Sequence, residues 1–328
     1  MKAMILAAGL GLRLRPLTEL LPKSMMPISN KPLLEYIIRY LKLSGINDIV
    51  INLHYLPKII KSFFKDGNSL GIRINYSTEK EILGTAGGIK AAELFLKDGP
   101  FFVINSDIAF ELDFDDVVQF HKKNNALITM VLREDKHVEK YGVIEIDQSC
   151  RVRTFLDFSN SPCHDTYLKT MFTGIALFDP GALKEFPDKG YCDISKEVYP
   201  GLLKKGLPLF GYVTDKYWMD MGTPQSYLSL QKEIFSGKVF EKTGCYKEKL
   251  NLQNSFNGVT IIPPVTIGEN VLIDTGSVIG PYASIGNNCN IQKGCALNNS
   301  ILWDNITIKE NSKIENSIAY ENKRILNV

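Results

Sequence analysis

The chain has 328 residues, 45% of them hydrophobic and 23% charged, with a formal net charge of +2. That length accommodates two domains, and so small a net charge excludes a general polyanion binder, which needs a strong basic excess. No stretch approaches the ~20 apolar residues of a membrane span, and the apolar run at the N-terminus is too short for a secretion signal.

Met4 to Ala7 reads as a buried strand. A glycine-rich segment follows it, Gly9-Leu10-Gly11-Leu12-Arg13-Leu14-Arg15-Pro16-Leu17-Thr18, then Pro22-Lys23 and Met26-Pro27-Ile28. Glycines let backbone N–H groups turn toward an anion with no side chain in the way. Arg13 offers phosphate oxygens a planar fork, and Lys23 offers a compact positive charge. With neither GxxxxGK[ST] nor GxGxxG present, the segment is not a P-loop or a dinucleotide fingerprint. Taken alone it also reads as a strand-to-helix turn with solvated arginines.

The spacing predicts a helix over Pro32 to Leu43, with proline in its first turn and Gly45 as its stop. A strand over Asp48 to Leu53, a helix over Pro57 to Phe64 and a strand over Ile72 to Tyr76 come next. A helix over Ala86 to Leu96 and a strand over Phe101 to Asn105 complete the run. Such alternation implies a mainly parallel sheet covered on both faces, whose ligands sit beyond the C-terminal strand ends. The loop after Tyr76 holds Glu79, Glu81 and Leu83-Gly84-Thr85-Ala86-Gly87-Gly88, a glycine-rich turn with Thr85 as helix N-cap. The loop after Asn105 holds Ser106 and Asp107, an acid placed either to hold Mg²⁺ against phosphate oxygens or to cap a turn.

Farther along, Tyr141-Gly142-Val143, Phe155-Leu156-Asp157-Phe158 and Phe172-Thr173-Gly174-Ile175 read locally as core strands or turns. In Trp218-Met219-Asp220-Met221-Gly222-Thr223-Pro224, the Thr-Pro pair starts a helix. The four histidines (His54, His121, His137, His164) show no metal-ligand spacing.

After about residue 257 the pattern changes. Ile267, Ile273, Ile279, Ile285, Ile291 and Leu297 recur every six residues, and Val271, Ser277, Ala283, Cys289, Cys295 and Ile301 stand four positions after each. A strict period of six does not suit a helix, and it resembles the hexapeptide pattern of left-handed β-helices, three repeats to a coil. Cys289 and Cys295 fall on small inward positions. Six scattered cysteines without a CxxC pair predict free thiols and a cytoplasmic setting. After Trp303 the period is expected to slip.

The N-terminal string closely resembles the signature of sugar-1-phosphate nucleotidyltransferases, roughly G-x-G-[ST]-R-L-x-P-L-T followed by P-K. The resemblance implies a Rossmann-like mixed α/β sheet, with helices on both faces, over residues 1–240. A left-handed parallel β-helix is implied over 241–328. It further implies transfer of a nucleoside monophosphate from an NTP to a sugar 1-phosphate, with Mg²⁺ as cofactor and pyrophosphate released. Carried over, Arg13 steadies the β- and γ-phosphates, and Lys23 contacts the phosphate where bonds change. Leu6, Ala8, Gly9, Gly11 and Ser106 join them around the nucleotide, and Leu12 stands where the family usually has Thr or Ser. Gly84, Thr85 and Ala86 match the L-G-T-A-G segment that lines the nucleobase pocket. Glu79 or Glu81 would accept hydrogen bonds from guanine, and the L-G-T-A-G form, most familiar from the guanylyl branch, points to GTP and, with it, to mannose 1-phosphate.

Asp107, in the pattern V-x-N-x-D, and Asp220, in W-x-D-[IV]-G-T-P-x-x-Y, are the implied metal ligands. On the sugar-phosphate side, Tyr141 and Gly142 match a Y-G segment, and Thr173 and Gly174 match N-A-G-I. Asp157 takes the acid of F-x-E-K, Phe158 replaces its lysine, and Lys169 is the nearest cation to supply that charge. A uridylyl or other sugar specificity is the alternative within the family. A catalytically silent, sugar-nucleotide-sensing subunit is the alternative outside it, favoured by Leu12 and Phe158. An acyltransferase in the repeats lacks its base, since no histidine follows His164. Assembly into a homo-oligomer through the β-helix is expected, with neither nucleic acid nor membrane as partner.

Overall fold

The computed structural model describes residues 1–136, 138–159, 166–244, 256–321 and 324–328. His137, His164, Cys163 and Cys245 lie outside the described residues. Two compact units form. The first gathers Met1–Leu10, Leu41–Ser106 and Glu111–Trp218, the second Gly11–Tyr40, Asp107–Phe110 and Met219–Val328.

In the first unit the Lys2–Leu6 strand lies between Asp48–Leu53 and Phe101–Asn105, parallel to both, with Arg73–Thr78 parallel at the edge. The central runs are apolar along their length because helices cover both faces: Ala3, Met4, Ile5, Ile49, Val50 and Ile51 are all fully buried. The long Leu168–Phe178 strand runs antiparallel to Phe101–Asn105 and to Val143–Ile146 and Ile128–Arg133, so the sheet is mixed. One antiparallel pair in this half follows from a short connection. Val143–Ile146 and Val152–Phe155 are joined by a turn in which the Asp147 carboxylate accepts the N–H groups of Ser149 (2.9 Å) and Arg151 (3.0 Å). A connection that short permits only antiparallel pairing.

The expected Ala86–Leu96 helix is two helices, Gly84–Ala91 and Glu93–Leu96. Thr85 does not cap the first. Leu83 occupies that position, and the Thr85 hydroxyl instead accepts the Ile194 N–H at 2.9 Å.

The second unit opens with three 3-10 turns, Leu12–Leu14, Leu17–Glu19 and Lys23–Met25. A hairpin of Pro27–Ile28 against Lys31–Pro32 follows, turning through Ser29 and Asn30, both at positive φ. Two such residues in a two-residue loop match the twist of the paired strands, and asparagine tolerates that conformation well. The Pro224–Phe235 helix starts at Thr223 with a reciprocal cap: Thr223 Oγ1 accepts the Ser226 N–H and Ser226 Oγ accepts the Thr223 N–H.

Beyond residue 256 the unit is a parallel β-helix. Thr260 pairs with Val278, Val265 with Ala283, Leu272 with Asn290 and Val278 with Ala296, each partner 18 residues on. Three six-residue repeats therefore make one coil. The six-spaced series from Ile267 to Leu297 is buried throughout, as are Cys289 and Cys295, whose thiols are free. Ser284 pairs with Ile301 and Asn290 with Thr307, partners only 17 residues on. One residue is thus lost between Leu297 and Ile301, and the period slips before Trp303 rather than after it. Asn270, Asn288 and Asn305 sit at positive φ on one corner, their amides linked at 3.2 and 3.3 Å. Among the described residues no helix is long and apolar enough to cross a membrane.

Candidate functional site

Arg13, Lys23, Asp107 and Asp220 all lie in the second unit. Gly11 takes φ +63 as it enters the Leu12–Leu14 turn, and a Cβ there would stand 2.8 Å from Thr18 Cγ2 and 3.3 Å from Lys23 Cβ. Only glycine fits. Thr18 closes the turn by donating its hydroxyl to the Gly11 carbonyl at 3.0 Å. Leu12, at 56% exposure, contributes no polar group to the loop, and Arg13 is likewise out in solvent.

Asp107 and Asp220 arrive from distant parts of the sequence. The Ile108–Phe110 strand pairs with the strand that ends at Asp220, and the Met221 N–H donates to the Asp107 carbonyl at 2.9 Å. Phe110 fixes this strand from behind, with its ring 5.7 Å from that of Tyr40 and 6.1 Å from that of Phe240. Lys23, its side chain only 12% exposed, donates to Asp107 Oδ2 and lies 3.6 Å from Asp220 Oδ1. Arg13 Nη2 lies 3.6 Å from Asp220 Oδ2. A Cβ on Gly222 would collide with Asp220 Oδ2 and come within 2.8 Å of Arg13 Nη1, so that glycine keeps the acid and the guanidinium in contact.

Burial lifts the Asp220 carboxyl above the usual carboxylate range; Lys23 opposes the rise, Asp107 adds to it and Arg13 opposes it. Two carboxylates that one ammonium reaches at once could hold a compact cation in its place. Among the described residues no group of three or more His, Cys, Asp or Glu side chains could hold a metal. Two carboxylates suit Mg²⁺, which commonly takes one or two from the protein and completes its shell with water and substrate phosphates.

The remaining sequence-predicted residues lie in the first unit, apart from Gly11. Glu79 is buried; Asn52 Nδ2 donates to its Oε1 at 2.7 Å and the Leu83 N–H to its Oε2 at 3.1 Å. Asn52 Oδ1 accepts the Ala7 N–H at 2.9 Å. Asn52 is the residue that the sequence reading missed. It ties the loop after Lys2–Leu6, where Ala8 and Gly9 follow, to the loop leading into Gly84, Thr85 and Ala86. Its signal is a lone amide near the end of a strand, Asp48–Leu53, that is apolar beyond its first residue. Glu81 is exposed. Gly9 has no atom within 4 Å of a would-be Cβ, so the fold itself asks nothing of that glycine.

A cavity of about 110 Å³ is lined by Leu6, Thr85, Asn105, Phe172, Gly174 and Tyr199, among others. Gly174, at φ +81, lets the chain pass Asn105, whose Nδ2 would be 2.5 Å from a Cβ. Ser106 is buried beside it, its N–H on the Leu6 carbonyl at 3.3 Å. Tyr141 meets Trp218 edge to face at 5.3 Å, and Trp218 Nε1 donates to the Thr173 carbonyl at 2.7 Å. The Thr173 hydroxyl is spent on the Val131 carbonyl at 2.8 Å. Gly142, at φ +91, leaves room for Leu156, whose N–H binds the Val143 carbonyl, and Asp157 follows in the open.

Lys169 is exposed and pairs in register with Glu145, which pairs with Thr154 and then Ser159. Phe158 belongs to the neighbouring row with Phe155, Ile144 and Thr170. Adjacent rows face opposite sides of a sheet. Lys169 and Phe158 therefore lie on different faces, and the lysine does not take up the position of the aromatic ring.

The sequence profile of the nucleotidyl transferase family matches residues 2–237, and that of the GMPPB C-terminal domain matches residues 261–327. The chain is 32% identical to the probable mannose-1-phosphate guanylyltransferase 3 of Oryza sativa subsp. japonica, covering 97% of this chain and 85% of that protein. It is 30% identical to the UTP–glucose-1-phosphate uridylyltransferase of Synechocystis sp., covering 98% of this chain and 87% of that protein. The crystal structure of HddC from Yersinia pseudotuberculosis complexed with GMP-PN superposes with a TM-score of 0.61 at 25% identity, covering 71% of this chain and 99% of HddC.

Proposed function

Because the chain belongs to the nucleotidyl transferase family, we propose that it transfers GMP from GTP to mannose 1-phosphate, giving GDP-mannose and pyrophosphate. The observation that carries this reading is the Lys23 ammonium on both Asp107 and Asp220, with Arg13 beside them. Such an array is built for phosphate charge. The similarity to guanylyltransferases, and to a protein seen with GMP-PN, favours guanine.

In this reading a phosphate oxygen of the sugar phosphate attacks the α-phosphorus of the NTP in line. The bond from that phosphorus to the bridging oxygen breaks, and pyrophosphate departs with the electron pair. The nucleophile is an anion at neutral pH, so no side chain has to remove a proton. Lys23 sits on the reacting phosphate and Arg13 on the departing ones, where fixed positive charge supplies most of the rate. Mg²⁺, held by Asp107 and Asp220, supplies further neutralisation of the phosphate oxygens when bound. Gly84, Thr85 and Ala86 line the base subsite. Tyr141, Gly142, Gly174 and the Thr173 backbone border the sugar.

The test is pyrophosphate release with Mg²⁺, pairing GTP, UTP, ATP, CTP and dTTP with a panel of sugar 1-phosphates. Release with GTP and mannose 1-phosphate, lost by about 10²-fold or more in Asp107→Asn and Asp220→Asn, supports the proposal. Release with UTP and glucose 1-phosphate instead would assign the uridylyl specificity of the Synechocystis relative. Nucleotide-sugar binding without release from any pair would point to a sensing subunit.

A further inference from the structure

We propose that the β-helix positions Lys23, through Tyr227 and Trp303 on one side and Ser284 and Asn30 on the other. The inference rests on the role given to Lys23 above.

The Lys23–Met25 turn runs directly into the hairpin of residues 27–32, so whatever fixes that hairpin fixes the lysine. Pro27 offers a carbonyl and no N–H, and the carbonyl accepts the Tyr227 hydroxyl at 2.5 Å. The same hydroxyl accepts Trp303 Nε1 at 3.2 Å. Tyr227 is fully buried and Trp303 nearly so. Burial raises the phenol pKa, so it stays a neutral donor to Pro27. At the hairpin tip, Asn30 Nδ2 donates to the Ile285 carbonyl at 2.7 Å, and Ser284 Oγ donates to Asn30 Oδ1 at 2.8 Å.

Tyr227 also belongs to the other half of the cation site. It stands seven residues after Asp220, on the Pro224–Phe235 helix that begins immediately beyond Gly222. One turn on, Gln231 is fully buried and donates to the Tyr282 carbonyl at 3.0 Å and the Ser300 carbonyl at 3.3 Å. The β-helix therefore grips both the segment that carries Lys23 and the helix that follows Asp220. Tyr227 joins the two directly. These groups touch no reacting atom; they are positioning residues. A displacement of ~1 Å at a reacting phosphate costs as much as 10²-fold in rate, which makes such a brace consequential.

The experiment uses the full chain with Tyr227→Phe and Ser284→Ala, two changes that remove one hydroxyl each. The first readout is labelling of lysine amines in the native protein, followed by peptide mapping. Lys90 serves as the internal control, because its side chain is 13% exposed and ion-paired, against 12% for Lys23. Tyr227→Phe should raise Lys23 labelling several-fold and leave Lys90 unchanged, with Ser284→Ala smaller in the same direction. Turnover by Tyr227→Phe should fall about tenfold in kcat with KM for the NTP unchanged.

Lys23 labelling equal to wild type in both variants would overturn the proposal, as would a parallel rise at Lys90, which signals general loosening. A rise in Lys23 labelling in the variants, with the wild-type chain inactive toward every substrate pair, would sink the transferase reading and keep the positioning role.

Discussion

Replacing Lys23 by methionine keeps most of the unbranched apolar stem and removes the ammonium that separates two acids. At 3.6 Å the attraction between Lys23 and Asp220 is about 4–5 kcal/mol at an effective dielectric of 20. Arg13 adds little to the folded state, since its side chain is 68% exposed and solvent screens it. Truncating one partner of a fully buried pair costs about 3–5 kcal/mol, because the other is left uncompensated, and these part-buried groups call for no more than the low end. Taking ~3 kcal/mol, and an unfolding entropy of ~2 cal/mol/K per residue over 328 residues, Tm falls by about 5 °C.

A divalent cation should reverse this. In Lys23→Met it meets two carboxylates with no ammonium to displace, whereas in the wild-type chain it competes with Lys23. We expect millimolar Mg²⁺ to restore most of the lost Tm in the variant and to raise wild-type Tm by less. By Mn²⁺ titration followed by electron paramagnetic resonance, the variant should bind about tenfold more tightly (~1.4 kcal/mol). Turnover should fall by about 10²-fold or more in the same protein, so binding and catalysis move in opposite directions. An equal cation response in both proteins would refute the argument, because Lys23 would then not occupy the space the metal needs. Asp107→Asn combined with Lys23→Met should abolish the response.

Three further outcomes follow from groups away from the cation site. Gly88→Ala places a methyl 2.6 Å from Glu79 Oε1 and 2.7 Å from Asn52 Nδ2, forcing apart a buried hydrogen bond. A loss of about 2–4 kcal/mol is expected by denaturant titration, and wild-type stability would show that the pair repacks freely. His121 is buried against Thr129, and burial lowers its pKa, with Asp179 opposing. Its contribution to stability is therefore fully present above about 6.5 and is lost progressively as pH falls below that toward its lowered folded value. The Tm of His121→Gln should fall less steeply than wild type between about pH 7.5 and 5.5, and parallel profiles would contradict this. Cys192 and Cys289 have thiols pushed up to about 11 by burial, and Cys295 is raised for the same reason. Native alkylation mapped by mass spectrometry should reach half-buried Cys150 well before these three; comparable rates at Cys289 would overturn the expectation.

Most of the strands and helices up to Asn105 were legible because each is a local pattern; the break between Gly84–Ala91 and Glu93–Leu96 and the hairpin of residues 27–32 were not. Asp48–Leu53 and Pro57–Phe64 carry their boundaries in adjacent turn and proline residues. The six-residue period was legible for the same reason, since parallel coils repeat one environment every 18 residues. The shortened coil was not, because which residue drops out near Asn298 depends on the pairing of Ser284 with Ile301. Thr85 shows the limit of a local rule: it has the chemistry of an N-cap, but a backbone N–H from Ile194 claims its hydroxyl first.

The site divides in the same way. Arg13, Lys23, Asp107 and Asp220 were readable as residue types beside glycines and strand ends, but the convergence of the two acids on the Lys23 ammonium was not. That convergence depends on contacts of long sequence separation, Lys23 to Asp107 over 84 residues and Tyr227 to Pro27 over 200. Asn52 and Tyr227 act only through their partners, one joining two loops and the other joining a helix to a hairpin. A motif marks groups that meet the substrate, because chemistry fixes their type. The residues that hold those groups in place need only a donor or acceptor of the right reach, which many side chains supply. The supporting contacts therefore become visible only when the chain has folded, and there the β-helix ceases to be a separate appendage: its Trp303 and Ser284 reach the segment that carries Lys23.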